Sequence, residues 1–158
     1  MAFKKPISHV TAPDSPDLLF RDLPRRKHAS LYDHQGQILR NYVAQAMNAS
    51  DVALQLPTGS GKTSVGLLLA EWRRRKNHER IVYLCPTRQL VNQVVEEAST
   101  KYGIMVEAFI GKAKDYAPNA KASYQAGERI AVTTYNSLFN TNPFFCDPEI
   151  IIIDDAGV

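Results

Sequence analysis

The chain has 158 residues, 44% of them apolar, and a formal net charge of +3, with a pI of about 8.9. That suits one soluble globular domain with a real core, and the mild positive charge is compatible with a polyanionic partner. Two cysteines, Cys85 and Cys146, without CxxC or other clustering, exclude a disulfide scaffold and a zinc-ligand set and point to a reducing, cytoplasmic setting.

The N-terminus "MAFKKPISHV" has lysines but no apolar core behind them, so no signal peptide is read there, and no apolar run is long enough to span a bilayer. Residues 1–30 carry Pro6, Pro13, Pro16 and Pro24 without helix or strand periodicity. They are expected to form an extended, partly mobile lead-in, with "DLLF" docking on the domain surface. From Leu31 the pattern changes. Ile38, Leu39, Tyr42, Val43, Ala46 and Met47 recur at helical spacing and predict an amphipathic helix from Asp33 to about Asn48. "VALQL" reads as a short apolar strand, and "GKTSVGLLLAEWRRRK" as a helix whose basic end, Arg73 to Lys76, is a solvated terminus complementing the helix dipole. "RIVYLC" is a strand, and "RQLVNQVVEEASTKY" a helix with Leu90, Val91, Val94, Val95 and Ala98 on one face. "IMVEAFI", "RIAVTTY" and "EIIIID" are strands, with a short helix over Ala120 to Ala126 between Pro118 and Gly127.

Strands alternating with helices imply right-handed crossovers and a parallel sheet, and near-continuous apolar strands imply helices on both of its faces. Ligands of such sheets bind at the carboxyl ends of the strands. The chemically distinctive stretches all fall there: after "VALQL", after "RIVYLC", after "RIAV" and at the end of "EIIIID".

"LPTGSGKT", Leu56 to Thr63, follows the first strand and opens a helix. Glycines let backbone N–H groups turn toward phosphates, the helix N-terminus adds positive potential, lysine reaches the outer phosphates and a Thr hydroxyl can hold Mg²⁺. Gly59, Gly61, Lys62 and Thr63 supply these parts, although Leu56 stands where the P-loop pattern asks for glycine. Asp154 ends a later apolar strand, as the acid of a Walker B element does. A ligand-free glycine turn and a surface acidic turn are the alternatives for each element taken alone.

"LPTGSGKT", "CPTRQLVNQ", "VTTYNSL" and "IIIIDDAG" together resemble motifs I, Ia, Ib and II of the superfamily 2 helicases, the DEAD/DEAH-box class, and "LYDHQ" resembles its upstream glutamine element. Members of that class often carry a non-glycine residue at the place of Leu56. The resemblance spans Leu31 to Asp155, about four-fifths of the chain. It implies an α/β, RecA-like P-loop domain over residues 31–158, incomplete at its C-terminal side, with ATP and Mg²⁺ as cofactors and a single-stranded nucleic acid, DNA or RNA, as partner. By this resemblance Gln35 would read the adenine edge, against the alternative of a helix-surface glutamine like Gln37. Thr58, Gly59, Ser60 and Gly61 would cradle phosphates by backbone, Lys62 would bridge the outer phosphates, and Thr63 and Asp154 would hold Mg²⁺. Thr87, Arg88 and Thr134 would touch the backbone of a strand without reading its sequence. A solvated helix-start side chain and a satisfied turn hydroxyl are the alternatives for Arg88 and Thr134.

Departures from the class are as informative. Asp155 stands where glutamate usually orients the attacking water, with one methylene less reach, and Gly157 stands where histidine or aspartate is usual. The Ser-Ala-Thr motif and the second helicase domain that follow in the class are absent from this sequence. Two functional readings are therefore carried: the ATP-binding portion of a nucleic-acid helicase or translocase, and a truncated non-catalytic product that at most binds nucleotide or a partner. A stand-alone P-loop kinase or GTPase would leave "PTRQLVNQ" without a task. In the class, the strand after the acidic box lies between the P-loop strand and the acidic-box strand. Without it, those two strands are expected either to lose a neighbour each or to slide together, leaving the isolated chain partly molten, with no strand unwinding and negligible ATP hydrolysis.

Overall fold

A computed structural model describes residues 12–24, 31–49, 52–54, 61–139, 144–145 and 147–154. Four parallel strands form one sheet in the order β2-β3-β1-β4: β1 Ile81–Cys85, β2 Val106–Phe109, β3 Ile130–Thr134 and β4 Ile150–Ile153. Helices α1 Pro16–Asp22, α2 Asp33–Gln45, α3 Lys62–Asn77, α4 Arg88–Glu97, α5 Pro118–Gln125 and α6 Tyr135–Leu138 surround it. Among the described residues no helix is long and apolar enough to cross a membrane.

Alternation along the strands sorts the core into two layers. Ile81, Tyr83 and Cys85 of β1, with Ile130 and Val132 of β3, pack against Val65, Leu68 and Trp72 of α3, Val91 and Val94 of α4, and side chains of α1 and α2. Val82, Leu84 and Ala131 point the other way, toward Phe109, Tyr116, Ala120 and Tyr124, Leu138 and Phe145. All five residues of β1 are buried, as a strand covered on both faces requires. The β4 strand is different. Ile150 and Ile152 join the first layer, whereas Ile151 and Ile153 are 45% and 65% exposed. Among the described residues β4 pairs only with β1.

The expected helices at Asp33, Lys62 and Arg88 and the expected strands at 81, 106, 130 and 150 are present, and the helix expected over Ala120 to Ala126 starts earlier, on Pro118 itself, and ends at Gln125. The helix read as continuous to Tyr102 is α-helical only to Glu97, and its last turn, Ala98–Tyr102, is a π-turn closed by Gly103 in the left-handed region.

Three expectations are corrected. The stretch 16–22 is helical rather than extended. Pro16 sits at the first helical turn, where its missing N–H is no loss and its fixed φ suits the helix, so this proline starts structure instead of breaking it. Leu19, Phe20 and Leu23 then bury in the core, and Trp72 Nε1–H donates to Pro13 O at 2.7 Å. Second, no strand forms over the described part of "VALQL", residues 52–54. Leu54 packs against the core while Val52 is exposed, and it does not slide to pair with β4. A strand exists only through a bonded neighbour. Third, the basic end of α3 is not a solvated face. Arg73 makes a bidentate pair with Glu79, both bonds at 3.1 Å, and donates to Tyr42 Oη at 2.7 Å and Met47 O at 3.2 Å. Arg74 and Arg75 share the buried Glu71 carboxylate, and Lys76 Nζ lies 4.7 Å from the centre of the Trp72 ring. A buried Glu71 needs both guanidinium partners to offset its desolvation.

If α1 is an integral part of the core, Leu19→Ala should destabilise the domain by about 2–5 kcal/mol. Leu18→Ala, on the same helix but 37% exposed, should stay within about 0.5 kcal/mol. Urea unfolding of the two variants side by side checks this. Equal, small effects would mean that α1 does not hold the core.

Candidate nucleotide and nucleic-acid site

The carboxyl ends of β1, β3 and β4 lie side by side, with Cys85 opposite Thr134 and Leu84 opposite Ile153 in register. One residue past β4, Asp154 N–H still bonds Leu84 O at 3.0 Å, so the acid leaves the sheet at a fixed place. Tyr135 Oη–H donates to Asp154 O at 2.9 Å and holds the same residue from the β3 side.

Next to this edge the N-terminus of α3 opens a cleft of about 280 Å³, near the lower end of the range for small-molecule pockets. Gly61, Lys62, Thr63 and Ser64 form one wall, Leu31, Tyr32 and Gln35 another, and Glu97, Lys101, Tyr102 and Phe20 the rest. Gly61 caps α3 with φ +76°, and a Cβ built on it would lie 2.2 Å from Gln35 Nε2. Glycine is thus required twice, for the left-handed backbone and for the close approach of the amide. Gln35 is only 5% exposed, and its Oε1 accepts from Tyr32 N–H at 3.1 Å. This excludes the helix-surface alternative, which Gln37, bonded to Asn41 in solvent, does illustrate.

Asp154 is held by a residue that the motif spacing did not single out. Tyr83 Oη–H donates to Asp154 Oδ2 at 2.8 Å. Burial, followed by the Asp154 charge, pushes the Tyr83 phenol well above the usual tyrosine range, so it stays a neutral donor. A tyrosine in the otherwise apolar run "RIVYLC" is the signal that was available, because a buried phenol must find a partner.

These sequence-predicted residues therefore lie in two places: Gln35, Gly61, Lys62 and Thr63 around the cleft, and Asp154 on the Tyr83 phenol at the sheet edge. Thr58, Gly59, Ser60 and Asp155 lie outside the described residues. The family model for DEAD/DEAH box helicases matches residues 35–157. The chain belongs to the DEAD/DEAH box helicase family. A relative, the ATP-dependent RNA helicase SrmB of Haemophilus influenzae, is 41% identical over 73 residues, which is 42% of this chain and 17% of the relative. The chain thus matches less than a fifth of that relative's length. The parallel sheet flanked by helices is the RecA-like α/β architecture of this helicase family.

In this DEAD/DEAH box chain the other predicted residues occupy the ends of β1 and β3. Thr87 caps α4, its Oγ1 accepting from Leu90 N–H at 3.2 Å. Arg88 is exposed on the first turn of α4. Thr134 Oγ1 lies 3.2 Å from Ser137 Oγ, as the turn-hydroxyl alternative has it. The cleft also has members that were not anticipated: Phe20, Glu97, Lys101 and Tyr102. Glu97 and Lys101 pair across one helical turn at 3.6 Å, presented where α4 widens into its π-turn, a distortion frequent at functional sites.

Cys85, fully buried beside this edge, has its thiol pushed up to about 12 by burial and by the Asp154 charge. At pH 8 it is a thiol and not the nucleophilic thiolate. Peptide-mapped labelling with a disulfide reagent at pH 8 should leave Cys85 unmodified in the folded protein and modify it in denaturant. Rapid labelling of Cys85 under native conditions would contradict the burial of this sheet edge.

Proposed function

We propose that this chain is the ATP–Mg²⁺-binding portion of a helicase or translocase that grips one nucleic-acid strand by its backbone. The observation that carries the reading is the Asp154 carboxylate, held by the Tyr83 phenol at the sheet edge, beside a cleft lined by the Lys62–Thr63 helix start and Gln35. Family membership makes ATP the expected nucleotide.

A divalent cation fits this donor set. Thr63 and Asp154 offer oxygens alone, and among the described residues no cluster of three or more His, Cys, Asp or Glu could hold a metal ion by itself. A cation here would have to draw its remaining ligands from phosphate and water, as Mg²⁺ prefers. When bound, it would neutralise the developing charge on the phosphate oxygens. Lys62 would meet the outer phosphates as a point charge, with Gly61 and its neighbours 58–60 supplying backbone donors. Gln35 would present its amide to the base, since an amide offers both a donor and an acceptor. Asp155 would orient the attacking water over a shorter reach than glutamate.

The strand would lie along the ends of β1 and β3, where Thr87, Arg88 and Thr134 face one edge. Backbone contacts of this kind are sequence-tolerant and salt-sensitive. The name of the SrmB relative suggests RNA, while the three residues alone suit either nucleic acid.

Titration of a fluorescent ATP analogue tests the nucleotide half. Lys62→Ala should weaken Mg²⁺-dependent binding by about tenfold or more, roughly 1.4 kcal/mol, and equal affinity would remove the phosphate-cradle assignment. For the strand, Arg88→Ala should lower affinity about equally for unrelated single-stranded sequences and reduce the salt slope by about 1. A strong sequence preference that Arg88→Ala abolishes would contradict a backbone contact.

A further inference from the structure

We propose that Tyr83 is a positioning residue for the cation: its phenol holds the Asp154 carboxylate in the orientation in which it faces the site. This inference rests on the reading of Thr63 and Asp154 given above.

The donor arithmetic leads to it. A phenol carries one hydrogen. That hydrogen goes to Asp154 Oδ2 at 2.8 Å, because an ionised carboxylate can only accept. The bond ties one oxygen of the Asp154 carboxylate to a ring buried on β1, as outer-shell hydrogen bonds orient the carboxylates that hold a metal ion.

The fold is shaped to admit the phenol. Tyr83 is buried on β1, on the face that packs against α3. Gly66, one turn into α3, lies directly over its ring: a Cβ there would fall 3.0 Å from Tyr83 Cε2 and 3.3 Å from its hydroxyl oxygen. A helix interior gains nothing from glycine by propensity, which disfavours it by about 1 kcal/mol relative to alanine. Here the missing side chain leaves the space through which the ring reaches Asp154. Tyr83 and Gly66 act as one device, in which the strand supplies the hydroxyl and the helix supplies the gap.

The test is Mg²⁺ titration of fluorescent ATP-analogue binding by the intact chain, set against binding in EDTA, for wild type, Tyr83→Phe, Gly66→Ala and Asp154→Asn. Tyr83→Phe keeps the ring and removes the hydroxyl that holds Asp154. It should leave binding in EDTA within about twofold and raise the Mg²⁺ midpoint about tenfold, as loss of a group orienting a metal ligand does. Gly66→Ala keeps the hydroxyl but displaces it, and should move the midpoint the same way; it decides the matter if Tyr83→Phe fails to fold. A purely structural role would lower the melting temperature and weaken binding with and without Mg²⁺ alike, and that pattern overturns the proposal. An unchanged or lower midpoint in Tyr83→Phe, with a raised midpoint in Asp154→Asn, overturns the role of Tyr83 alone. An unchanged midpoint in Asp154→Asn overturns the cation reading and this inference with it.

Discussion

Everything in this domain is referred to β1. Its five residues are all buried, and it pairs with β3 on one side and β4 on the other. Ile81, Tyr83 and Cys85 meet α3 and α4, while Val82 and Leu84 meet the aromatic layer around Phe109. A slip of one residue would turn the Tyr83 hydroxyl into that aromatic layer, where Phe109, Tyr116, Phe144 and Phe145 stand edge to face, and would place Val82 or Leu84 against Gly66. Register is strongly specified in a strand buried on both faces, and the position of every group at the carboxyl edge follows from it.

Much of this was legible in the sequence because it depends on local periodicity. Apolar spacing located α2, α3, α4 and α5, and the apolar runs located four strands. What was not legible depended on partners remote in the chain. "VALQL" has the composition of a strand, yet over residues 52–54 it forms none, since strand formation needs a neighbour to bond. Pro16 reads as a breaker in isolation and as a helix start once Leu19, Phe20 and Leu23 find a surface. The arginines of α3 look solvated until Glu71, Glu79 and Tyr42 are brought beside them. Motif spacing singled out Gln35, Gly61, Lys62 and Thr63, which line one cleft. It was silent on Tyr83, whose place in an apolar run marks a phenol in need of a partner but does not say which partner until the fold shows where its hydroxyl points.

The arginine cluster also shows how the domain separates its charges. Arg73, Arg74 and Arg75 lie at the carboxyl end of α3, and Lys62 and Gly61 lie at its amino end, about 1.5 Å per residue away along the axis. Internal carboxylates and carbonyls engage the cations at the far end. Glu71 and Glu79 offset part of the charge at that end, and the amino end of α3 presents the positive potential of the helix where it borders the cleft.

The contact between Gly61 and Gln35 has a consequence for how such a chain can drift over evolutionary time. A Cβ at position 61 would lie 2.2 Å from the Gln35 amide nitrogen, so any side chain there would push that amide out of its place. A smaller residue at position 35 would make room, but the left-handed backbone at position 61 would remain. Glycine at 61 is therefore held by conformation first, and a change there in the wall formed by α3 would be felt in the wall formed by α2.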